Sequence, residues 1–252
     1  MSNTRHESEP MLRGYAVTHP GGRTVVPAQA GWDRLVYTAA GTVTVHTARD
    51  LWTVPPHRAL WLPDGIAATL ANRHPVAIRT LYFAAHLDAC PPTAHVVALH
   101  GFPRELLLHV VRVCPLDDSR EIDRALLSVL LDQLRALPRT GLHLATPHTP
   151  ETRRAADIIR AEPDATLDAV ARQVGVSQRT LERRFLGETG VSLGAWRRRA
   201  HILDSLEPLS AGEPVTQVSA RAGYSTPSAF VTAFTRELGE PPRRFMSVRP
   251  RR

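Results

Sequence analysis

The sequence predicts an α+β protein of more than one domain: an antiparallel β barrel or sandwich with helices behind it, then an all-α region built on two helix-turn-helix units. Three observations carry this. Short β-rich runs separated by Pro and Gly turns fill residues 23–87, apolar spacing becomes helical after Pro91-Pro92, and the last third of the chain repeats itself at an interval of 48 to 49 residues.

The β-rich runs are "RLVYTAAGTVTVH", "DLWTVPPHRALWLPDG" and "ATLANRHPVAIRTLYFA". Strands this short, with turn residues between them, fit a closed or two-layered antiparallel sheet. Behind them "FPRELLLHVVRVC" reads as a helix, and in "DDSREIDRALLSVLLDQLRAL" the residues Ile122, Leu126, Val129, Leu130, Leu134 and Leu137 form a stripe at helical spacing. Asp117, Asp118 and Ser119 offer a cap and anions for its first turn, and Pro138 stops it. The stripe either packs on the β region or pairs with a second copy; the sequence leaves both open. "PRTGLHLATPHTP" has no periodicity and reads as a linker. The resulting division is residues 1–95 for the β domain, 96–140 for a helical interface, 141–151 for the linker and 152–252 for the all-α domain.

Composition narrows the class. With 252 residues, 43% hydrophobic and 22% charged, the chain is long enough for two ordinary domains. No apolar run approaches the roughly 20 residues that span a bilayer. "MSNTRHESEP" has no apolar segment behind it and reads as a frayed start, so the expectation is a cytoplasmic protein. Cys90 and Cys114 form no CxxC-type pair, and the 12 His are scattered without metal-site spacing. No nucleophile-base arrangement or phosphate loop stands out; no catalytic residue, metal or cofactor is expected. All 31 Lys-plus-Arg residues are Arg, and they are unevenly placed: 14 against 12 acids in residues 1–150, 17 against 12 in residues 151–252. A basic C-terminal third favours a polyanionic partner.

Within that third, Val170-Ala171…Gly175-Val176-Ser177…Phe185…Gly190…Trp196 aligns with Val218-Ser219…Gly223-Tyr224-Ser225…Phe234…Gly239…Phe245. Each unit reads as short helix, Gly turn, second helix, with Thr166 capping the first unit's opening helix, Ser177 its second helix, and Thr226 before Pro227 the second helix of the second unit. "LGAWRRRAHILDSLEPL" joins the units as a helix from Gly194 to about Glu207, about 21 Å long at 1.5 Å per residue. That spacing sets the two second helices about 34 Å apart, one turn of B-DNA. The region as a whole reads as five or six helical pieces.

The block "LDAVARQVGVSQRTLERRFLGETGVSLGAWRRRAHILDSL…VTQVSARAGYSTPSAFVTAFTRELGEPPRRF" closely resembles the AraC/XylS family of bacterial transcription regulators across about residues 152–247. More loosely, Trp32-Asp33 to Tyr37 and "VPPHRALWLP" resemble the cupin-like sensor of part of that family. The resemblance implies a cupin-like barrel for the β domain, a sequence-specific regulator binding double-stranded promoter or operator DNA, a small-molecule effector, a homodimer through residues 104–137, and contact with RNA polymerase if it activates. Related sensors often carry His near Ala28, Ala30 and Ala68; alanine cannot ligate, so a metal is not expected there.

On the first unit's second helix, Leu181 and Phe185 face inward and Arg179, Glu182 and Arg183 outward. Arg matches guanine O6 and N7 and Glu accepts from cytosine N4, so this stripe is the candidate base reader; its alternative is a solvated face with internal Glu–Arg pairing. In the second unit Ser228 and Thr232 are the candidate base contacts, beside Ala229 and Val231. Arg184, Arg197, Arg198, Arg236 and Arg243 are candidate phosphate contacts, with Arg199 and Arg244 beside them, and Arg249, Arg251 and Arg252 read as an unstructured tail. Trp32, Tyr37, His46 and Trp61, with Trp52 and Tyr82 near them, are candidates for an effector pocket, the alternative for each being core packing. Two rival functions stay in view: a cupin-fold metal enzyme fused to a DNA-binding module, and a helix-turn-helix interaction protein without DNA affinity.

Overall fold

The computed structural model describes residues 10–247; residues 1–9 of the stretch read as a frayed start and the Arg249, Arg251 and Arg252 tail lie outside them. Nine strands open the chain: β1 Leu12–His19, β2 Gly22–Val26, β3 Trp32–Ala40, β4 Val43–His46, β5 Asp50–Val54, β6 Arg58–Leu62, β7 Ala68–Asn72, β8 Val76–Ala84 and β9 His95–Ala98. Helices α1 Gly101–Val113 and α2 Glu121–Ala136 follow, then β10 Arg139–Thr140 and β11 His143–Ala145. The strands form two antiparallel sheets, one ordered β1-β8-β3-β6-β9-β10 and one ordered β11-β5-β4-β7-β2. The sheets are joined at both sides, by the β1–β2 turn and by the β10–β11 turn.

Two expectations are corrected here. Strands begin at Leu12, not Arg23, and residues 143–145 of the stretch read as linker pair with β5 through His143↔Trp52 and Leu144↔Leu51. The reason is physical. β1 is an edge strand with one face beneath α1 and the other largely open, and β10 and β11 are too short to show a period of two.

Alternation along β3 sorts two cores. Leu35 and Tyr37 join Trp61, Leu81 and Phe83 beneath α1 and α2, whereas Val36 joins Leu60, Leu62, Ile78, Val43 and Val45 between the sheets. α1 contributes Leu106, Leu107, Val110 and Val111, and α2 contributes Leu127, Leu130, Leu131 and Leu134. The predicted α2 stripe is therefore only partly the buried one. The helix is rolled so that Leu127 and Leu131 point inward, leaving Ile122 57% and Val129 43% exposed. Asp117, Asp118 and Ser119 do not cap α2, whose N-cap is Arg120; buried Asp123 instead turns back to accept from the Asp117 N–H at 3.1 Å.

Among the described residues the C-terminal region has eight helices: α3 Pro150–Ala161, α4 Leu167–Gln173, α5 Gln178–Thr189, α6 Leu193–Asp204, α7 Leu206–Ser210, α8 Val215–Arg221, α9 Pro227–Leu238 and α10 Pro242–Phe245. Beyond the five or six expected are single-turn pieces such as α10, and the connecting helix divides at Ser205. There the Ser205 hydroxyl donates to the Ile202 carbonyl at 2.6 Å, and α7 starts afresh. This region packs on the outer face of the five-stranded sheet, where Leu51 and Leu144 run into its apolar core. A charged cleft of about 860 Å³ remains between them, lined by Arg23, His46, Asn72, Arg160, Asp204 and Glu207 among others.

Leu130, fully buried between α2 and the six-stranded sheet, is the direct check on this packing. Leu130→Ala is expected to lower unfolding free energy by about 2–5 kcal/mol in urea titrations, since the gap cannot refill. A loss below about 1 kcal/mol contradicts the placement of α2.

Candidate nucleic-acid interface

The two second helices are built alike. Gly175 and Gly223 take left-handed backbone, φ +75° and +77°, where a side chain would be strained. The Ser177 hydroxyl then accepts from the Thr180 N–H and the Thr226 hydroxyl from the Ala229 N–H, each at 3.2 Å. Thr166 caps α4 in the same way. These are the three caps expected from sequence, and they set where α5 and α9 begin. The inner faces match too: Leu181 and Phe185 of α5, and Phe230 and Phe234 of α9, are all fully buried. The Phe185 ring meets Trp196 of α6 edge-on at 5.1 Å, and the Phe234 ring meets Phe245 of α10 at 5.6 Å.

What remains outside differs between the copies. On α5, Arg179, Glu182, Arg183 and Arg184 are exposed. Glu182 accepts from Gln178 at 2.8 Å and Arg184 lies 3.9 Å from Glu151, while Arg179 and Arg183 make no hydrogen bond or ion pair among the described residues. The internal Glu–Arg pairing that would mark a self-satisfied face is therefore absent among the described residues. On α9, Ser228, Ala229, Thr232 and Arg236 are exposed, Thr232 donating to its own helix at the Ser228 carbonyl, 2.9 Å away. Val231 turns inward against the core.

The phosphate candidates divide. Arg198 and Arg243 are exposed, as is Arg244, which pairs with Glu240 at 3.5 Å. Arg197 is half-buried and its guanidinium donates to the Pro163 carbonyl, so it ties the α3–α4 turn to α6. Arg199 donates to the carbonyls of Gly141 and His143 and lies 3.4 Å from Glu237, so it fixes the β10–β11 turn against α6 and α9. Both are thereby corrected to structural roles, because each guanidinium is already committed to carbonyls.

The four effector-pocket candidates do not converge. Tyr37 and Trp61 lie under α1 and α2, with Tyr37 accepting from Arg104 at 3.1 Å. His46 lines the cleft on the opposite sheet. Trp32 lies under the Arg13 guanidinium at 4.1 Å, on the β3 face that looks into the sandwich. Aromatic residues were visible in the sequence, but the face of each depended on strand register.

One functional scaffold residue escaped sequence reading. Glu188, at the end of α5, accepts from the Thr152 hydroxyl at 2.7 Å, the His148 N–H at 2.8 Å, the Thr149 hydroxyl at 2.8 Å and the Thr149 N–H at 3.2 Å. It thus caps α3 from another helix. Burial pushes its carboxyl upward, but the hydrogen bonds outweigh this and hold it at about 2. The only available hint was that Glu188 and Glu237 occupy the same place in the repeat.

Two capped helices presented by one buried connecting helix define a twin helix-turn-helix protein. Residues 170–247 match the family model described as a helix-turn-helix domain. The chain is 27% identical to the HTH-type transcriptional regulator NimR of Escherichia coli (strain K12) over 216 residues, 85% of this chain and 79% of that one. It is 33% identical over 108 residues to the HTH-type transcriptional regulator RipA of Corynebacterium diphtheriae, covering 41% of this chain and 32% of that one. Among solved structures, the C-terminal domain of AraT, a response regulator from Geobacillus stearothermophilus, is similar at 30% identity over 41% of this chain and 89% of that one, with a TM-score of 0.38. The chain thus carries a helix-turn-helix domain at its C-terminal end and is similar along most of its length to a transcriptional regulator.

The Glu188 cap has a pH signature. Its folded carboxyl sits below the ordinary 4.5, so its contribution is full above pH 4.5 and lost as pH falls toward 2. Glu188→Gln is expected to lower stability at pH 7 and to flatten the decline between pH 4.5 and 2 in denaturant titrations. An unchanged acid decline contradicts the assignment.

Proposed function

We propose that this regulator reads its operator chiefly through α5 and docks through α9. The observation that carries the reading is that Arg179 and Arg183, exposed and unpaired among the described residues, stand one helical turn apart on a capped helix whose other face is locked in the core. Arg179, Glu182 and Arg183 then meet base edges in the major groove, and Ser228 and Thr232 add hydroxyl contacts from α9. Arg184, Arg198, Arg236 and Arg243 meet phosphates. In this reading the sensor is residues 1–95 with the helical interface 96–140 behind it and β11 at residues 143–145 returning to its second sheet, and the reader is residues 152–252.

In this reading a small molecule bound by the β domain shifts the balance between two arrangements of sensor and reader. The protein works in the cytoplasm, without a cofactor and without an enzymatic step, and an activating role would add a contact with RNA polymerase. The exposed Ile122 and Val129 on α2 support a homodimer through residues 104–137.

Two experiments test these points. Arg183→Ala is expected to relax preference at one base pair, costing about 1–3 kcal/mol, whereas Arg198→Ala weakens binding to all sequences and lowers the log-log salt slope by about one. Identical behaviour of the two variants in salt-dependent binding assays contradicts the division of roles. The double substitution Ile122→Glu with Val129→Glu is expected to give monomers in sedimentation equilibrium where the wild type gives dimers; an unchanged mass contradicts an α2 interface.

A further inference from the structure

The sandwich interior holds a cation that the DNA-reading account does not use. Arg34, on β3, is 1% exposed, with Nη1 donating to the Pro27 carbonyl at 3.2 Å and Nη2 to the Ile66 carbonyl. Those two carbonyls take two of its five N–H donors, and Nε is buried with no partner. Among the described residues no carboxylate forms an ion pair with it. Asp64 attracts the guanidinium only from beyond ion-pair distance, so the buried cation lacks a direct counter-charge, and a planar fork with free donors is shaped for a bidentate carboxylate.

The surroundings supply a route and an apolar wall. Arg34 stands opposite Tyr82, which stands opposite Arg13 on β1, so all three share the face that looks toward the second sheet. Two and four residues along β1 on that face are Tyr15 and Val17, which are 52% and 46% exposed although Val17 is level with buried Ile78. β1 and β2 are the edge strands of the two sheets, joined only by their turn at residues 20–21, and the exposed Tyr15 and Val17 mark where water reaches this inner face. The Tyr15 and Tyr82 rings meet edge-on at 5.6 Å, and Trp32 on the same face is stacked under Arg13.

We propose that the cleft between β1 and β2 binds a small organic carboxylate, its anion on Arg34 and its apolar body against Tyr15, Val17 and Tyr82. The assignment rests on the reading of the β domain as effector sensor and gives the effector's chemical class. Binding places the carboxylate against the unpartnered edge of the guanidinium, supplying the direct ion pair that Asp64 is too distant to make, while the body covers aromatic surface now open to water.

The test uses the full chain with phenylacetate and hexanoate, each compared with its neutral amide, in isothermal titration and thermal-shift measurements. Saturable binding of at least one acid, at least tenfold tighter than its amide, is expected. Arg34→Met, an apolar replacement of similar length, should abolish that preference, and Tyr15→Ala, at the exposed rim, should weaken acid binding several-fold. The proposal is overturned if neither acid binds, if acid and amide bind alike, or if the folded Arg34→Met protein keeps the preference. Should Arg34→Met not fold, the acid–amide contrast in the wild type and the Tyr15→Ala result still decide. DNA binding measured on the same samples separates the two readings: loss of acid binding with DNA binding intact overturns the ligand class, whereas absent DNA binding in the wild type overturns the regulator reading itself.

Discussion

The arrangement depends on the burial of α6. Leu193, Trp196, Ala200, Ile202 and Leu203 of this one helix are all in the core, and α5 and α9 both hang from it or from what it carries. The Trp196 ring holds Phe185 of α5, and its Nε1 donates to the Ala145 carbonyl of β11 at 2.8 Å. Arg199, on the next turn, reaches the β10–β11 turn and Glu237 of α9. A single rigid element therefore sets the spacing of α5 and α9 and ties both to the β domain.

A second connection runs from the other end of the barrel. Arg58 of β6, 4% exposed, lies over the Phe245 ring at 4.7 Å and 3.9 Å from Glu240, at the junction of α9 and α10. Thr42 donates to Ser210 at 2.7 Å, and the Arg73 N–H donates to Glu207 at 2.8 Å. The strands that bear Arg34 and Arg58, β3 and β6, pair directly, Arg34 opposite Leu62 and Thr38 opposite Arg58. A change at the cleft floor therefore has a short mechanical path to the second unit, through one hydrogen-bonded strand pair.

The helical region was more legible in the sequence than the barrel, and the cause is periodicity. Ser177, Thr226, Gly175 and Gly223 act locally, so their roles follow from neighbours a few residues away, and the repeat checked each against its twin. By contrast, Arg197 and Arg199 had the same local look as Arg198, and only the tertiary positions of Pro163, Gly141 and His143 set them apart. Leu127 and Leu131 rather than Ile122 and Val129 face inward because of how α2 rolls on α1, which spacing alone left open. In the barrel, Trp32, Tyr37, His46 and Trp61 were visible as aromatic or ionisable groups, but alternate faces of strands and different sheets separated them. Arg34 carried no signal at all, since an arginine in "WDRLVY" reads as the polar member of an alternating strand.

The central claim is that α6 holds two unequal DNA-facing helices at a fixed spacing, one that reads sequence and one that docks. Methylation-interference footprinting of the full chain on a selected operator tests this most directly. The account predicts two major-groove contacts about one helical turn, roughly 10 base pairs, apart, with guanine contacts concentrated in one of them. A single contacted segment, or two segments with equal sequence demands, would contradict it.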